Sequence, residues 1–351
     1  MRPPPRPVRR LLLAPALVLG VVAAAVTLPV IVIAAAFISR YVPGKWRILR
    51  ITWFLFLYLL VEAAALTMMF SLWVLSGFGL KIHAPAFIEA HYVLMAWMMR
   101  RIVASAKFTF KLNIVRESSP RRSSSVPPRN QRPVMVLSRH AGPGDSILLM
   151  DALANSFKRQ PRIVLKEFLQ WDPMIDVMLN RLPSAFVAGG KDGRGELLET
   201  ITEMAATMDG NDAFVIFPEG ANYTEKRARR SIEKLREMGR PDLAERAEEL
   251  ENTLPPRSTG VMTALAAAPP GTDVFFVGHA GLETFVTPGD IWRGIPTDTN
   301  VAARVWYVSS DEIPSPENQE TWLFDMWVEI DDWISERLID TEEPFDDPDH
   351  Y

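Results

Sequence analysis

Two long apolar runs near the N-terminus limit what this 351-residue chain can fold into. Residues 11–38 are 28 positions without a charge, and residues 51–80 are 30 positions whose only charge is Glu62. Both exceed the roughly 20 residues a helix needs to cross hydrocarbon. Core helices of a soluble domain are shorter and two-faced, so residues 1–82 are expected to form a membrane anchor. Arg2, Arg6, Arg9 and Arg10 ahead of the first run, with Ala23, Ala24 and Ala25 inside it, also fit a cleaved signal peptide. The run continues well past those alanines, which favours a retained anchor. Joined by the basic turn at 40–47, the two runs make a hairpin that leaves the N-terminus and the remaining chain on one side. A shallow re-entrant hairpin is the alternative. Positive charge on both flanks gives only a weak preference for the cytoplasmic side.

Beyond the anchor, residues 83–115 interleave Tyr92, Trp97, Met98 and Phe108 with Arg100, Arg101 and Lys107. That mixture suits a helix lying at a bilayer interface, and equally an amphipathic helix packed on a domain. Residues 116–132 are a Ser/Pro/Arg linker. From 133 to 339, short apolar runs at 134–137, 162–165, 185–188, 213–217, 274–278 and 304–308 alternate with helical patterns at 146–158, 173–181, 195–208 and 231–250, the last broken at 239–241. Such alternation predicts an α/β sandwich with a largely parallel sheet. Residues 340–351 carry six acids and no Lys or Arg. The formal net charge of −4 therefore leaves +2 for the rest, and this end reads as a solvated acidic tail.

Chemistry is expected at 138–146, Ser-Arg-His-Ala-Gly-Pro-Gly-Asp-Ser, directly after an apolar strand. The Gly-Pro-Gly turn lets the chain double back, so that Asp145 can reach His140 and fix its tautomer. On the other reading Asp145 merely caps the following helix. A second run, 213–217, ends in Phe217-Pro218-Glu219-Gly220-Ala221-Asn222-Tyr223. With both motifs in this order, the chain resembles the glycerolipid acyltransferases, enzymes that acylate glycerol phosphate and lysophospholipids. That family carries His-x-x-x-x-Asp, here His140 and Asp145. It carries Phe-Pro-Glu-Gly-Thr-Arg some 70 to 80 residues later, retained here as Phe217, Pro218, Glu219 and Gly220. Lys166 and Leu169 to Pro173 resemble the segment before the family's second motif. Leu254-Pro255-Pro256-Arg257-Ser258-Thr259-Gly260 is similar to its fourth, closest to the lysocardiolipin-type branch.

The resemblance covers about residues 130–280. It implies a glycerol-3-phosphate acyltransferase-like α/β sandwich behind a two-helix anchor. It also implies transfer of a fatty acyl group from acyl-CoA, or from acyl carrier protein, to a lysophospholipid hydroxyl. His140, oriented by Asp145, would take the hydroxyl proton as that oxygen attacks the thioester carbonyl, with backbone N–H groups stabilising the oxyanion. Glu219 would hydrogen-bond glycerol hydroxyls or hold its loop. Phe217, Pro218, Gly220, Lys166 and Arg257 would shape the acceptor site.

Departures from the pattern bear on the acceptor. The second motif's arginine is replaced by Gly189, leaving Lys191 or Arg194 to serve, and the third motif's Thr-Arg is Ala221-Asn222. An amide cannot grip phosphate bidentately, so lysophosphatidic acid is not assumed over another lyso-glycerophospholipid. Seven cations between Lys226 and Arg240 are expected to attract phosphates of coenzyme A or lipid headgroups, or else to form a solvated face paired with Glu233 and Glu237. The absence of cysteine excludes disulfides and a thiol nucleophile, and the five histidines have no ligand spacing, so no metal is expected. No cofactor and no nucleic acid are expected either. Membrane lipids are the remaining partner. Abundant Ala, Arg and Pro hint at a GC-rich bacterium and hence its plasma membrane. The rival is a non-catalytic, membrane-tethered lipid-binding protein of the same fold. A hydrolase using His and Asp lacks a recognisable nucleophile.

Overall fold

The computed structural model describes residues 3–117, 132–188, 194–283, 289, 292–293 and 300–342. A seven-stranded sheet lies at its centre, built from β1 (Asn113–Glu117), β2 (Val134–Ser138), β3 (Gln160–Lys166), β4 (Ala185–Val187), β5 (Asp212–Ile216), β6 (Asp273–Ala280) and β7 (Asn300–Val308). The spatial order is β1-β7-β6-β2-β5-β3-β4, and every neighbouring pair is parallel except β6 with β7. β2 is central and buried along its whole length, which is why it reads as an unbroken apolar run rather than an alternation.

Side chains of successive strand residues go to opposite faces. Met135, Leu137, Phe214 and Phe276 pack with helices α6 (Arg194–Ala206), α9 (Ser258–Ala267) and α10 (Gln319–Glu342). Val134, Val136, Ala213, Val215 and Phe275 pack on the other face with α4 (Pro143–Asp151) and its wider continuation Ala152–Ser156. The remaining helices are α1 (Ala14–Ser39), α2 (Arg47–Leu75), α3 (Pro85–Phe110), α5 (Pro173–Leu179), α7 (Glu225–Glu237) and α8 (Pro241–Glu248). The break between α7 and α8 falls where expected, with Gly239 at φ +74° and Pro241 opening the next helix.

The hairpin helices differ from one another. Only 6% of the most apolar stretch of Arg6–Ser39 is buried, against 33% for Arg47–Leu75, so α2 lies against the sheet domain while α1 presents Leu19, Val22, Val26, Val30 and Ile33 outward. Ala65, Leu66 and Met69 of α2 join Tyr92, Met95 and Met98 of α3 and Met174, Val177 and Met178 of α5 in one cluster. Polar ties reinforce it. Asp176, with no exposed side-chain surface, accepts from Arg9 at 2.8 Å and Arg10 at 3.4 Å. The Tyr58 hydroxyl donates to Asp172 at 3.2 Å and Arg181 donates to the Met69 carbonyl at 2.7 Å. At the other end of α2, Arg47 donates to the Arg293 carbonyl at 3.0 Å and Arg50 to that of Thr109 at 2.6 Å.

Three elements, β1, α9 and α10, lie outside the sequence expectation. Residues 113–117, divided there between helix and linker, are the edge strand β1, and Glu117 is held by Arg304, Trp333 and Arg337. Arg132, also assigned to the linker, pairs with Asp273 at 3.4 Å; residues 118–131 lie outside the described residues. α9 and α10 were not anticipated, and α10 runs into the expected tail as far as Glu342; the remainder of that tail lies outside the described residues. α3, for which an interfacial and a packing role stood open, buries Tyr92, Met95, Met98, Ile102 and Val103 against its neighbours and leaves Val93 and Phe108 exposed.

Candidate active site

Parallel strands deliver their C-terminal ends to one edge, and register then determines which side chains meet. Leu137 of β2 pairs with Ile216 of β5, so three residues further on His140 stands beside Glu219. The His140 backbone N–H donates to Glu219 Oε1 at 2.9 Å. Lys166 closes β3 on the far side of β5, exposed and near enough that its charge opposes protonation of His140.

After β2 the chain turns sharply into α4. Asp145 sits in the first turn of that helix, and its Oδ2 accepts from the backbone N–H groups of Ala141 at 2.7 Å and Gly142 at 3.0 Å. The same carboxylate lies 3.1 and 3.2 Å from His140 Nδ1. Helix capping and imidazole orientation, opposed readings of the sequence, are thus performed by one side chain. The His140 side chain is 28% exposed and that of Asp145 2%, so a carboxylate in the interior faces a ring that opens outward. With Nδ1 turned to Asp145, Nε2 is the nitrogen left to accept a proton. The Phe217 ring packs 4.8 Å from the imidazole, centroid to centroid.

Burial alone would lower the affinity of His140 for a proton. The hydrogen bond and charge of Asp145, with a smaller contribution from Glu219, outweigh it and raise the pKa. Burial would likewise raise that of Asp145, but His140 and His279 hold it below the usual carboxylate range. An imidazole paired in this way can accept a proton near neutral pH and return it, the requirement for general base and general acid work.

Glu219 does not face an open site. Its side chain is buried, Oε1 takes the His140 N–H, and Oε2 takes the Leu254 N–H at 2.9 Å. Of the two roles expected for it, this geometry performs loop holding: Glu219 ties the β2, β5 and 254–260 loops together. Burial pushes its pKa up to about 7, against the opposing effect of those two backbone donors. The Pro218 carbonyl accepts from the Arg257 N–H at 2.9 Å. Gly220 has φ +67°, and a Cβ there would lie 2.8 Å from the Arg257 guanidinium carbon, so the arginine lies directly over the glycine.

The other expected contacts fare differently. The Asn222 carbonyl accepts from Arg227 at 3.0 Å, a tie between the loop and α7. Arg194 opens α6, with its side chain outside the described residues; Lys191 and Gly189 are outside them entirely. In α7 the partners are not Glu233 and Glu237 but Glu225, on Arg229, and Glu248, on Arg236. Arg240 pairs with Asp242 and Glu320. Among the described residues no group of three or more His, Cys, Asp or Glu side chains is arranged to hold a metal ion.

Two residues of this region were not singled out from sequence. Arg139, buried beneath His140, donates to the His279 carbonyl at 2.5 Å, to the Asn252 carbonyl at 3.0 Å and to Glu283. His279, near the end of β6, places Nε2 3.6 Å from Asp145 Oδ2. A charged residue at the end of an apolar strand run was the available signal for each.

Residues 113–276 match the family model described as Acyltransferase, a segment that runs from β1 into β6 and contains His140, Asp145, Glu219 and Arg257. No curated protein and no solved structure matches the chain. On a mixed α/β fold, that match supports a general acyltransferase function.

Proposed function

We propose that this protein is a membrane-bound acyltransferase that moves a fatty acyl group from acyl-CoA to the hydroxyl of a lysophospholipid, in phospholipid synthesis or remodelling. The observation that carries this reading is the His140–Asp145 pair at the sheet edge, inside the segment that matches an acyltransferase family. His140 Nε2 removes the acceptor's hydroxyl proton as the oxygen attacks the thioester carbonyl. The carbon–oxygen bond forms, the carbon–sulfur bond breaks, and the proton passes from His140 to the departing thiolate. No covalent enzyme intermediate is needed. Lys166 and Arg257 supply positive charge at the rim for an acceptor phosphate. The exposed cations of α7, which starts just past Tyr223, draw the phosphates of coenzyme A or anionic headgroups toward the site.

Supporting a membrane setting are two helices long and apolar enough to cross a bilayer, one of them with only 6% of its most apolar stretch buried. Both ends of α2 hold the sheet domain, through Arg47 and Met69, which favours a hairpin lying along that domain over one projecting away from it. The proposed location is a bacterial plasma membrane with the site on the cytoplasmic side.

Labelled palmitoyl- and oleoyl-CoA, offered to detergent-solubilised protein with lysophosphatidic acid, lysophosphatidylinositol, lysophosphatidylglycerol and lysocardiolipin, test this reading. Product that disappears in His140→Ala supports it, and the preferred acceptor reveals what replaces the missing motif arginines. Lipid binding without product from any acceptor or from an acyl-carrier-protein donor turns the reading to a non-catalytic lipid-binding protein.

A further inference from the structure

β6 runs parallel to β2, with Ser138 paired to Val277. Two residues beyond each, His140 and His279 stand side by side and reach the same carboxylate. His279 Nε2 lies 3.6 Å from Asp145 Oδ2, the oxygen that is 3.1 Å from His140 Nδ1. The rings differ in exposure, 9% for the His279 side chain against 28% for His140. Neither ring nitrogen of His279 has a hydrogen-bond partner at strict distance, and both are shut off from solvent. A buried imidazole N–H without an acceptor is unfavourable, so the adjacent carboxylate is its natural acceptor. The backbone of His279 is fixed as well, its carbonyl taken by Arg139. His279 is not part of the segment that matches the acyltransferase family, which ends at residue 276.

We propose that His279 is a positioning residue for the acyl transfer assigned above: it donates Nε2–H to Asp145 from β6 while His140 donates Nδ1–H from β2, so that one carboxylate orients two imidazoles and divides its charge between them. This role rests on the acyltransferase reading. His140 alone touches the acceptor hydroxyl, because His279 is enclosed.

The physical consequence concerns how strongly Asp145 holds a proton on His140. Asp145 already accepts from Ala141, Gly142 and Ser146. Each further donor lowers its basicity toward His140. The other charged groups that act on His140 are Glu219 from the β5 loop and Lys166 from β3, and Arg139 acts on Glu219. Removing the His279 donor leaves these in place and concentrates the charge of Asp145 on His140, whose titration midpoint then rises.

Ring-¹⁵N-histidine NMR of the purified full-length protein in detergent reads this directly. His140→Ala identifies the His140 signal among the five histidines. In wild type, the neutral form of His279 should be the Nε2–H tautomer; an Nδ1–H tautomer overturns the proposal without any variant. In His279→Leu the His140 midpoint should rise by about half a unit to one unit, and the acid limb of the kcat–pH profile should move with it. His279→Gln, which keeps an amide donor, should stay near wild type in both. A His140 midpoint that is unchanged in folded His279→Leu, with acyl transfer intact, overturns the role of His279 alone. Coupled titration with no acyl transfer to any acceptor overturns the acyltransferase reading on which the role rests.

Discussion

Asp145 and Asp176 are both buried carboxylates in the first turn of a helix, and each is approached by two cationic or titratable side chains. Asp145 faces His140 and His279, whereas Asp176 faces Arg9 and Arg10. A guanidinium keeps its charge at every pH a protein survives, so the tie between Asp176 and the N-terminal helix is permanent. An imidazole gains and loses its proton near neutrality, so the tie at Asp145 can change state during a reaction. Two carboxylates in like burial, each with a pair of basic side chains, therefore give a joint in one place and, on the proposed reading, a proton-transfer site in the other.

Replacing His140 with alanine should separate the two most sharply. Turnover should fall by about two to four decades, the range for loss of a general base, while thermal stability changes little because the ring is partly exposed. Labelled acyl transfer beside a melting curve measures both, and wild-type turnover in this variant would remove His140 from the chemistry.

Asp176→Ala should behave in the opposite sense. It leaves two largely buried guanidinium groups without their carboxylate, which costs about 3–5 kcal/mol for a fully buried pair and less here, since Arg10 is 23% exposed. The expected signs are a lowered melting midpoint and easier proteolysis near Arg9, with the shape of the pH–rate profile unaltered. A shifted acid limb in Asp176→Ala would mean that the two regions are coupled and the comparison fails.

Glu219 is a third buried carboxylate, and it sharpens the contrast because its partners are backbone N–H groups. Glu219→Gln turns an amide N–H toward one of those donors and should cost about 1–3 kcal/mol. Its pH signature has a definite sign. Folding raises the pKa from 4.5 to about 7, so its contribution to stability is complete below 4.5 and is lost as pH climbs through about 7. Asp145, held low, acts the other way: its contribution is present above the ordinary aspartate range and lost as pH falls below it. Denaturant unfolding of wild type and Glu219→Gln between pH 4.5 and 7 should show a steeper decline in wild type. Parallel curves would mean that Glu219 is ionised throughout.

What the sequence made legible was local. His140 and Asp145 were found because a five-residue spacing across a Gly-Pro-Gly turn carries its own geometry, and β2 and β5 because a central parallel strand is apolar on both faces. β1 was missed since Asn-Ile-Val-Arg-Glu has no such pattern: it is an edge strand whose partner, β7, lies at 300–308. His279 and Arg139 gain their meaning from strand register between β2 and β6, and Glu219 its partners from the loop at 254, none of which a linear reading contains. α9 was overlooked because an alanine-rich helix covered on the sheet side offers little contrast between faces. Gly189, Ala221 and Asn222 occupy the places where the family pattern has its arginine and Thr-Arg cues, so that part of the pattern is absent from the linear sequence.

The smallest expected effect tests the rim of the site rather than its centre. Gly220→Ala places a Cβ where φ is +67° and 2.8 Å from the Arg257 guanidinium. The left-handed backbone alone should cost on the order of 1–2 kcal/mol. The contact adds little, because a flexible arginine tip can move aside. In an Arg257→Ala background the contact disappears and the backbone cost stays, so the destabilisation by Gly220→Ala should be nearly the same in both. Function should respond differently. Gly220→Ala displaces the guanidinium from its place over the loop, which should raise the acceptor KM with kcat held, and it should have no further effect on KM once Arg257 is gone. An additive KM increase in the double variant would show that Gly220 acts on the acceptor through the loop backbone and not through Arg257.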